Sequence, residues 1–285
     1  MILITGAGGR VGRILERRLQ AKFPDRVVAA TREEMDLTDP ARVVLELERF
    51  DPPPTVVVNC AAVTDPYLAD SSPEEVLAVN REGVAGLARA CREIPCRLIH
   101  FSTVDVFDGR KLAPYVETDV PDAASQYGRI RTLGELGVAE GNPDHLIVRL
   151  SLVCGDAEDG DPLRAVAVAL REDVPLAWED RRVSPIFAED LASAAATLIK
   201  SDWRGVLHLA NGGSCFLSEM AAETARHLNV LAPPELCGGP GPASFREGGG
   251  ANAVLDAGRF AVLSGRRLRD WRAALAASLD RPAED

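Results

Sequence analysis

The chain has 285 residues, 46% of them hydrophobic and 26% charged, with a formal net charge of −11. Apolar usage at that level excludes an intrinsically disordered chain, and the acidic balance excludes a general grip on nucleic-acid phosphates. No run approaches the roughly 20 apolar residues of a membrane span.

The first 150 residues alternate short apolar runs with helical periodicity, the pattern of βαβ units in a parallel sheet. Ile2 to Thr5 reads as the first strand, and Thr5-Gly6-Ala7-Gly8-Gly9-Arg10-Val11-Gly12 leads from it into a helix from Val11 to Lys22. In that context one glycine permits a tight turn, one lets the backbone approach a pyrophosphate, and Gly12 allows close helix packing. The helix N-terminus offers free N–H groups and positive dipole character. The second strand, Arg26 to Thr31, ends at Arg32. An acid there favours the ribose of NAD and an arginine favours the 2′-phosphate of NADP. NADP(H) is therefore the favoured cofactor, with Arg10 as a second cation, and NAD(H) stays open. The alternative makes Arg32 a solvated strand end, with Glu33 or Asp36 holding a ribose or adenine.

A helix from Pro40 to Phe50, a strand from Thr55 to Asn59 and a helix from Glu74 to Glu93 follow. Ser72, Pro73 and Glu75 supply an N-cap, a first-turn proline and a capping-box acid for that helix. The fourth strand, Leu98 to Ser102, ends in Ser102-Thr103, whose hydroxyls stand where ligands of open parallel sheets bind. On a helix from Gln126 to Ala139, Tyr127 and Arg131 share one face. A permanent cation beside a phenol lowers its pKa toward neutrality. Leu146 to Leu150 reads as the fifth strand and Val206 to Leu209 as the sixth. Further helices are expected at Pro162 to Arg171, Ala188 to Lys200, Ser218 to Leu228 and Leu268 to Leu279. Leu231 to Gly250 is Pro/Gly-rich loop chemistry, either a mobile segment near a site or a plain surface connection.

Six scattered cysteines form no CxxC pair, and four histidines show no zinc spacing, so no metal site is expected. Met1 leads straight into an apolar run without a basic n-region, which points to a cytoplasmic protein.

Taken in order, these motifs resemble the extended short-chain dehydrogenase/reductase superfamily and, more closely, the dTDP-4-dehydrorhamnose reductase family. The opening turn is similar to TGxxGxxG, Asp36-Leu-Thr-Asp39 to DLTD, and Asn59-Cys-Ala-Ala62 to NAAA. Asn80 resembles the family's helix asparagine. Ser102-Thr-Val-Asp-Val-Phe-Asp-Gly109 resembles STDYVFDG, and Tyr127-Gly-Arg-Ile-Arg-Thr-Leu-Gly-Glu135 resembles YGxTKLxGE. Ser184 to Leu191, Asn252 to Asp256 and Trp271-Arg272 are similar to SPTYAEDL, NSVLD and WR.

The resemblance implies an α/β, Rossmann-type doubly wound parallel sheet over residues 1–150, completed by segments near 184–210. A smaller α/β substrate-binding lobe would occupy most of 151–285. It implies hydride transfer between a nicotinamide and C4 of a nucleotide-linked 4-keto sugar, with Tyr127 as proton donor and Thr103 polarising the carbonyl. Arg131 would stand for the lysine that holds the nicotinamide ribose. Cofactor contacts would come from Gly6, Gly8, Gly9, Arg10, Val11 and Gly12, from Arg32, Asp36 and Leu37, from Cys60, Ala61 and Ala62, and from Asn80, Ser102, Tyr127 and Arg131. The implied partner is a small nucleotide sugar, with neither nucleic acid nor membrane, and a homodimer is left open.

The chain departs from the family pattern at three places. Arg131 replaces the lysine of YxxxK, a planar fork for a compact ammonium. Val104-Asp105 replaces Asp-Tyr, removing a phenol and moving a carboxylate. Thr64 to Asp70 replaces TAVDKAE, whose acid and lysine lie near the sugar. Because these departures lie at the chemistry, two other readings stay open: a noncatalytic NADP(H)-binding regulatory protein, and a sugar-nucleotide epimerase or dehydratase.

Overall fold

The structure, a computed structural model, describes residues 1–239 and 250–280. In chain order they form β1 (Ile2–Thr5), α1 (Arg10–Lys22), β2 (Val27–Ala30), α2 (Pro40–Glu48), β3 (Val56–Asn59), α3 (Pro66–Ser71) and α4 (Pro73–Leu77). A π-helical turn (Ala78–Gly83) joins α4 to α5 (Val84–Glu93), and β4 (Arg97–Thr103), a 3-10 turn (Val104–Val106), α6 (Gln126–Gly141) and β5 (His145–Leu150) come next. Then follow β6 (Leu152–Cys154), α7 (Pro162–Glu172), β7 (Arg182–Val183), β8 (Pro185–Phe187), α8 (Ala188–Lys200) and β9 (Gly205–Leu209). The last elements described are β10 (Cys215–Phe216), α9 (Leu217–His227), β11 (Asn252–Ala253), α10 (Gly258–Ser264) and α11 (Trp271–Leu279).

The main sheet runs β2-β1-β3-β4-β5-β9, with every pair parallel. Its strands are Val, Ile and Leu runs because both faces are covered. Alternate residues point to opposite faces. Ile2, Ile4, Val56, Val58 and Ile99 therefore pack under α1 and α8, while Leu3, Val57, Leu98 and Ile147 pack under α2 and α5. The chain turns one way from β1 to β2 and the other way from β3 onward. That reversal opens a crevice beyond the carboxyl ends of β1 and β3, the place where such sheets hold ligands. A separate apolar cluster, including Trp178, Phe187, Met220 and Trp271, lies among β6 to β8, β10, β11, α7, α9 and α11. No helix among the described residues is long and apolar enough to cross a membrane.

The six expected main strands and the long helices are present, and the differences have local causes. The expected helix from Glu74 to Glu93 is broken by the π-helical turn, where α6 packs so closely that a Cβ on Gly134 would stand 2.1 Å from the Asn80 carbonyl oxygen. Ser72 holds the N-cap position by backbone geometry, but its side chain caps nothing. Thr64 to Asp70 runs into α3, whose N-cap Asp65 accepts from Tyr67 N–H at 2.9 Å. Of the Pro/Gly-rich segment, residues 240–249 lie outside the described part. Leu236 forms an isolated bridge with Leu176.

Two histidines of the sheet are held neutral. Burial first, then Arg149, pushes His208 down to about 3, and burial with Arg131 holds His100 well below its ordinary range. The unfolded chain takes up these protons near pH ~6.5 while the folded chain refuses them, so stability is complete above that pH and falls as pH drops toward the folded values. The melting temperature should decline progressively below about pH 6.5, and His208→Gln should flatten part of that slope. Calorimetry across pH checks both; a slope unchanged by the substitution would assign the effect elsewhere.

Candidate active site

The glycine turn after β1 is fixed by backbone contact. Gly6 has φ +70°, and a Cβ there would lie 2.4 Å from Ala61 N; one on Gly12 would lie 2.2 Å from the Gly6 carbonyl oxygen. Gly8 is different, since a Cβ there meets nothing within 4 Å. Gly6 and Gly12 thus close the turn on itself, and Gly8 leaves a bare stretch of backbone open. No side chain caps the first turn of α1, and that turn carries no acid. An anion placed there would gain the N–H groups and the dipole.

The two expected phosphate cations sit differently. Arg10 is tied down: Nε and Nη2 pair with Asp156 at 2.9 and 3.0 Å, Nη1 donates to Gly160 O and Nη2 to Val153 O. Arg10, expected as a second cation, lines the cleft but is ion-paired and clasps the β6–α7 loop to the glycine turn. Arg32 is exposed, with its side chain 76% accessible and Nε paired with Asp36 at 3.3 Å. Asp36 also accepts from Thr38 N–H and hydroxyl, which holds the bend after β2. Leu37 is buried in the core under α2, so only its backbone could face a ligand.

Beneath the cleft, Thr5, Asn59 and His100 stand side by side in register on β1, β3 and β4. Asn59 Oδ1 accepts from the Thr5 hydroxyl (2.7 Å) and from Ala61 N–H (3.0 Å), and its amide nitrogen lies 2.9 Å from His100 Nδ1. The amide therefore donates to an unprotonated Nδ1. This row shapes the Cys60-Ala61-Ala62 segment, of which Cys60 and Ala62 line the cleft. Asn80 does not line it. Its side chain is buried and bonds both Val63 N–H and Val63 C=O at 2.8 Å, so it clamps the loop after β3.

The cleft itself has a volume of about 620 Å³ and joins Gly9, Arg10 and Val11 of the turn to Thr103, Tyr127 and Arg131, with Trp178 on the far wall. Tyr127 and Arg131 are one turn apart on α6, whose N-cap Ser125 accepts from Gly128 N–H. Burial holds the Tyr127 phenol above its ordinary value; Arg131 pulls it down and Asp105 pushes it up. The expected lowering is thus corrected, since desolvation exceeds the pull of the cation and the phenol keeps its proton. Arg131 is 4% exposed. Its Nη2 donates to Phe101 O at 2.6 Å, whereas Nε and Nη1 are buried without a partner among the described residues. Two such orphaned donors are costly unless a ligand accepts from them.

Ser102 also lines the cleft, but its hydroxyl donates inward to Glu135 at 2.5 Å. Glu135 in turn holds Arg149 through a buried pair, the closest contact being 2.6 Å. Ser102 therefore belongs to the support of the site rather than to its reacting surface. Sequence reasoning overlooked this pair, together with Asp156, Trp178 and Arg181. The glutamate of the α6 motif was the available signal for the first. Asp161 was missed too: it caps α7 and accepts from Gly155, Asp156 and Ala157 N–H at 2.8 to 3.1 Å, shaping the loop that Arg10 clasps.

A parallel sheet with a glycine turn at its switch point, and a tyrosine, a threonine and a cation at the adjacent strand end, define a Rossmann-type nucleotide-binding protein of the short-chain dehydrogenase/reductase class. The family model described as the RmlD substrate binding domain matches residues 1–283. A dTDP-4-dehydrorhamnose reductase of Mycobacterium tuberculosis is 34% identical over 99% of this chain and 93% of its own length. A dTDP-4-keto-6-deoxy-D-glucose reductase of Streptomyces niveus is 35% identical over 80% of this chain and 78% of its own. Among solved structures, the dTDP-4-dehydrorhamnose reductase of Bacillus anthracis in complex with NADP superposes with a TM-score of 0.87 at 23% identity, covering 98% of this chain and 96% of that one. The chain belongs to the dTDP-4-dehydrorhamnose reductase family.

The two kinds of glycine should separate in a melting experiment. Gly12→Ala forces the Gly6 carbonyl to move and should cost about 1–3 kcal/mol. Gly8→Ala should stay within about 0.5 kcal/mol of the parent. Equal losses in chemical denaturation would contradict the assignment of the steric requirement to Gly12.

Proposed function

We propose that the protein reduces the 4-keto group of a nucleotide-linked sugar, using NADPH in preference to NADH. The observation that carries this reading is Arg131, buried beside Tyr127 and Thr103 with two guanidinium nitrogens that have no hydrogen-bond partner among the described residues. Bound reduced nicotinamide would supply the hydride. The sugar-hydroxyl acceptors of its ribose match the donors that Arg131 holds out. The anchor from Nη2 to Phe101 O explains how a wide guanidinium can serve where a lysine would reach directly. Gly8 and the N-terminal turn of α1 fit a diphosphate, and Arg32, exposed just after β2, fits a 2′-phosphate.

In this reading Tyr127, held protonated by burial, gives its proton to the carbonyl oxygen, which a donor must do in the reductive direction. Thr103, across the cleft wall, hydrogen-bonds the same oxygen. Trp178 and the β6–α7 loop limit water at the reacting end. Residues 1–150, completed by 184–210, would carry the dinucleotide and most of 151–285 the sugar nucleotide. The names of the curated relatives support a dTDP-linked 4-keto-6-deoxy sugar as the substrate class. We place the protein in the cytoplasm, where its six free cysteines stay reduced.

The test is NADPH oxidation, followed by nicotinamide absorbance, with dTDP-4-keto-6-deoxy sugars; no turnover across a panel of keto sugars would reject the reading. Tyr127→Phe should lower turnover at least ~100-fold with NADPH affinity by calorimetry unchanged. Arg32→Ala should lose one charge-assisted hydrogen bond and so about 10-fold of the preference for NADPH over NADH. A preference unaffected by that change would move 2′-phosphate recognition elsewhere.

A further inference from the structure

The hydroxyl of Thr103 has one proton to give. Here it donates to Asp105 Oδ2 at 2.6 Å, and Asp105 N–H donates back to Thr103 Oγ1 at 3.2 Å. With the carboxylate ionised, one lone pair is all that Thr103 can show to the cleft. A substrate carbonyl oxygen is itself an acceptor, so in this state Thr103 repels the group it should polarise. A proton on Asp105 reverses the bond. The carboxyl O–H then donates to Thr103, and the threonine's own proton is released toward the cleft.

Asp105 stands behind Thr103, on the wall of a second, small hollow of about 30 Å³ that it shares with Asp108, Arg181 and Asn252. That volume suffices for one water, giving the carboxyl a path for proton exchange that avoids the substrate. The charged and titratable groups around it come from every side. They are Tyr127 and Arg131 on α6, Arg181 before β7 with its partner Glu179, and Asp108, which accepts from Tyr115. Thr103, Arg181 and Arg131 favour the anion, but burial is the largest influence and pushes the carboxyl up to about 6. Both protonation states are therefore within reach of ordinary conditions.

We propose that Asp105 is a positioning residue that sets the direction of the Thr103 hydrogen bond, so that Thr103 polarises the substrate carbonyl only while Asp105 carries a proton. The inference rests on the reductase reading above. The bond departs from the family pattern STDYVFDG, which has a tyrosine at the place of Asp105. The competent form dominates below the carboxyl's pKa, and the rate of reduction falls as pH rises through it.

Asp105→Asn offers a decisive variant. Its amide N–H donates permanently to Thr103 and imitates the protonated acid at any pH. In the wild type kcat should fall by up to about 10-fold per pH unit above the transition, toward the rate that Tyr127 supports alone. In Asp105→Asn kcat should be flat over the same range and exceed the wild type by about 10-fold near pH ~8. An Asp105→Asn enzyme that keeps the wild-type decline, or that is folded, binds NADPH and is inactive throughout, overturns the proposal. Carbon-13 carboxyl NMR of the free protein gives a readout without turnover. The Asp105 titration should move upward in Thr103→Val, which removes a donor to the anion, and an unmoved titration overturns the coupling. Absence of turnover in the wild type would reject the reductase reading, while the NMR result still decides for or against the coupling of Asp105 to Thr103.

Discussion

The reacting end of this protein depends on the attachment of α6 to the carboxyl edge of the sheet. Tyr127, Arg131 and Glu135 follow one another at intervals of four residues and face β4 and β5 together. Glu135 grips Arg149 through a buried pair and receives the Ser102 hydroxyl, and Arg131 bonds the carbonyl of Phe101. Breaking one member of such a pair typically costs about 3–5 kcal/mol, because the other charge stays buried. The same contacts tie the helix that carries Tyr127 to the strand that ends in Thr103.

Polar groups buried under the cleft serve the same end without carrying charge to it. Thr5, Asn59 and His100 occupy one level of three adjacent strands, and the histidine is neutral, so the row adds hydrogen-bond direction and no net field. Arg10 and Asp156 cancel each other across the mouth of the glycine turn. An incoming anion would meet backbone, helix dipole and Arg13, whose Nη1 donates to the Gly8 carbonyl. Nε and Nη1 of Arg131 stay buried and unpartnered among the described residues.

The strands of the main sheet were legible because each is a short apolar run covered on both faces, and the glycine turn because it opens such a run. Helix positions were legible from proline starts, as at α2 and α7, and from periodicity, as at α8. The π-helical turn was not, since nothing in the run Glu74 to Glu93 announces that α6 presses on Asn80. Strands of two or three residues such as β7, β10 and β11 are too short to show alternation. Thr103, Tyr127 and Arg131, which line one cleft, were singled out by their order along the chain. The tasks of Arg10, Ser102 and Asn80 depend on partners 146, 33 and 17 residues away.

Sequence by itself determined the layer architecture, the switch point and the identity of the groups at the strand ends, because these follow from local periodicity and from which backbone positions tolerate no Cβ. Only the tertiary structure decided which of those groups are free to act. Whether a hydroxyl, a guanidinium or a carboxyl faces the cleft or faces inward depends on hydrogen-bond partners brought from distant segments, and on how far burial outweighs charge at Tyr127 and Asp105.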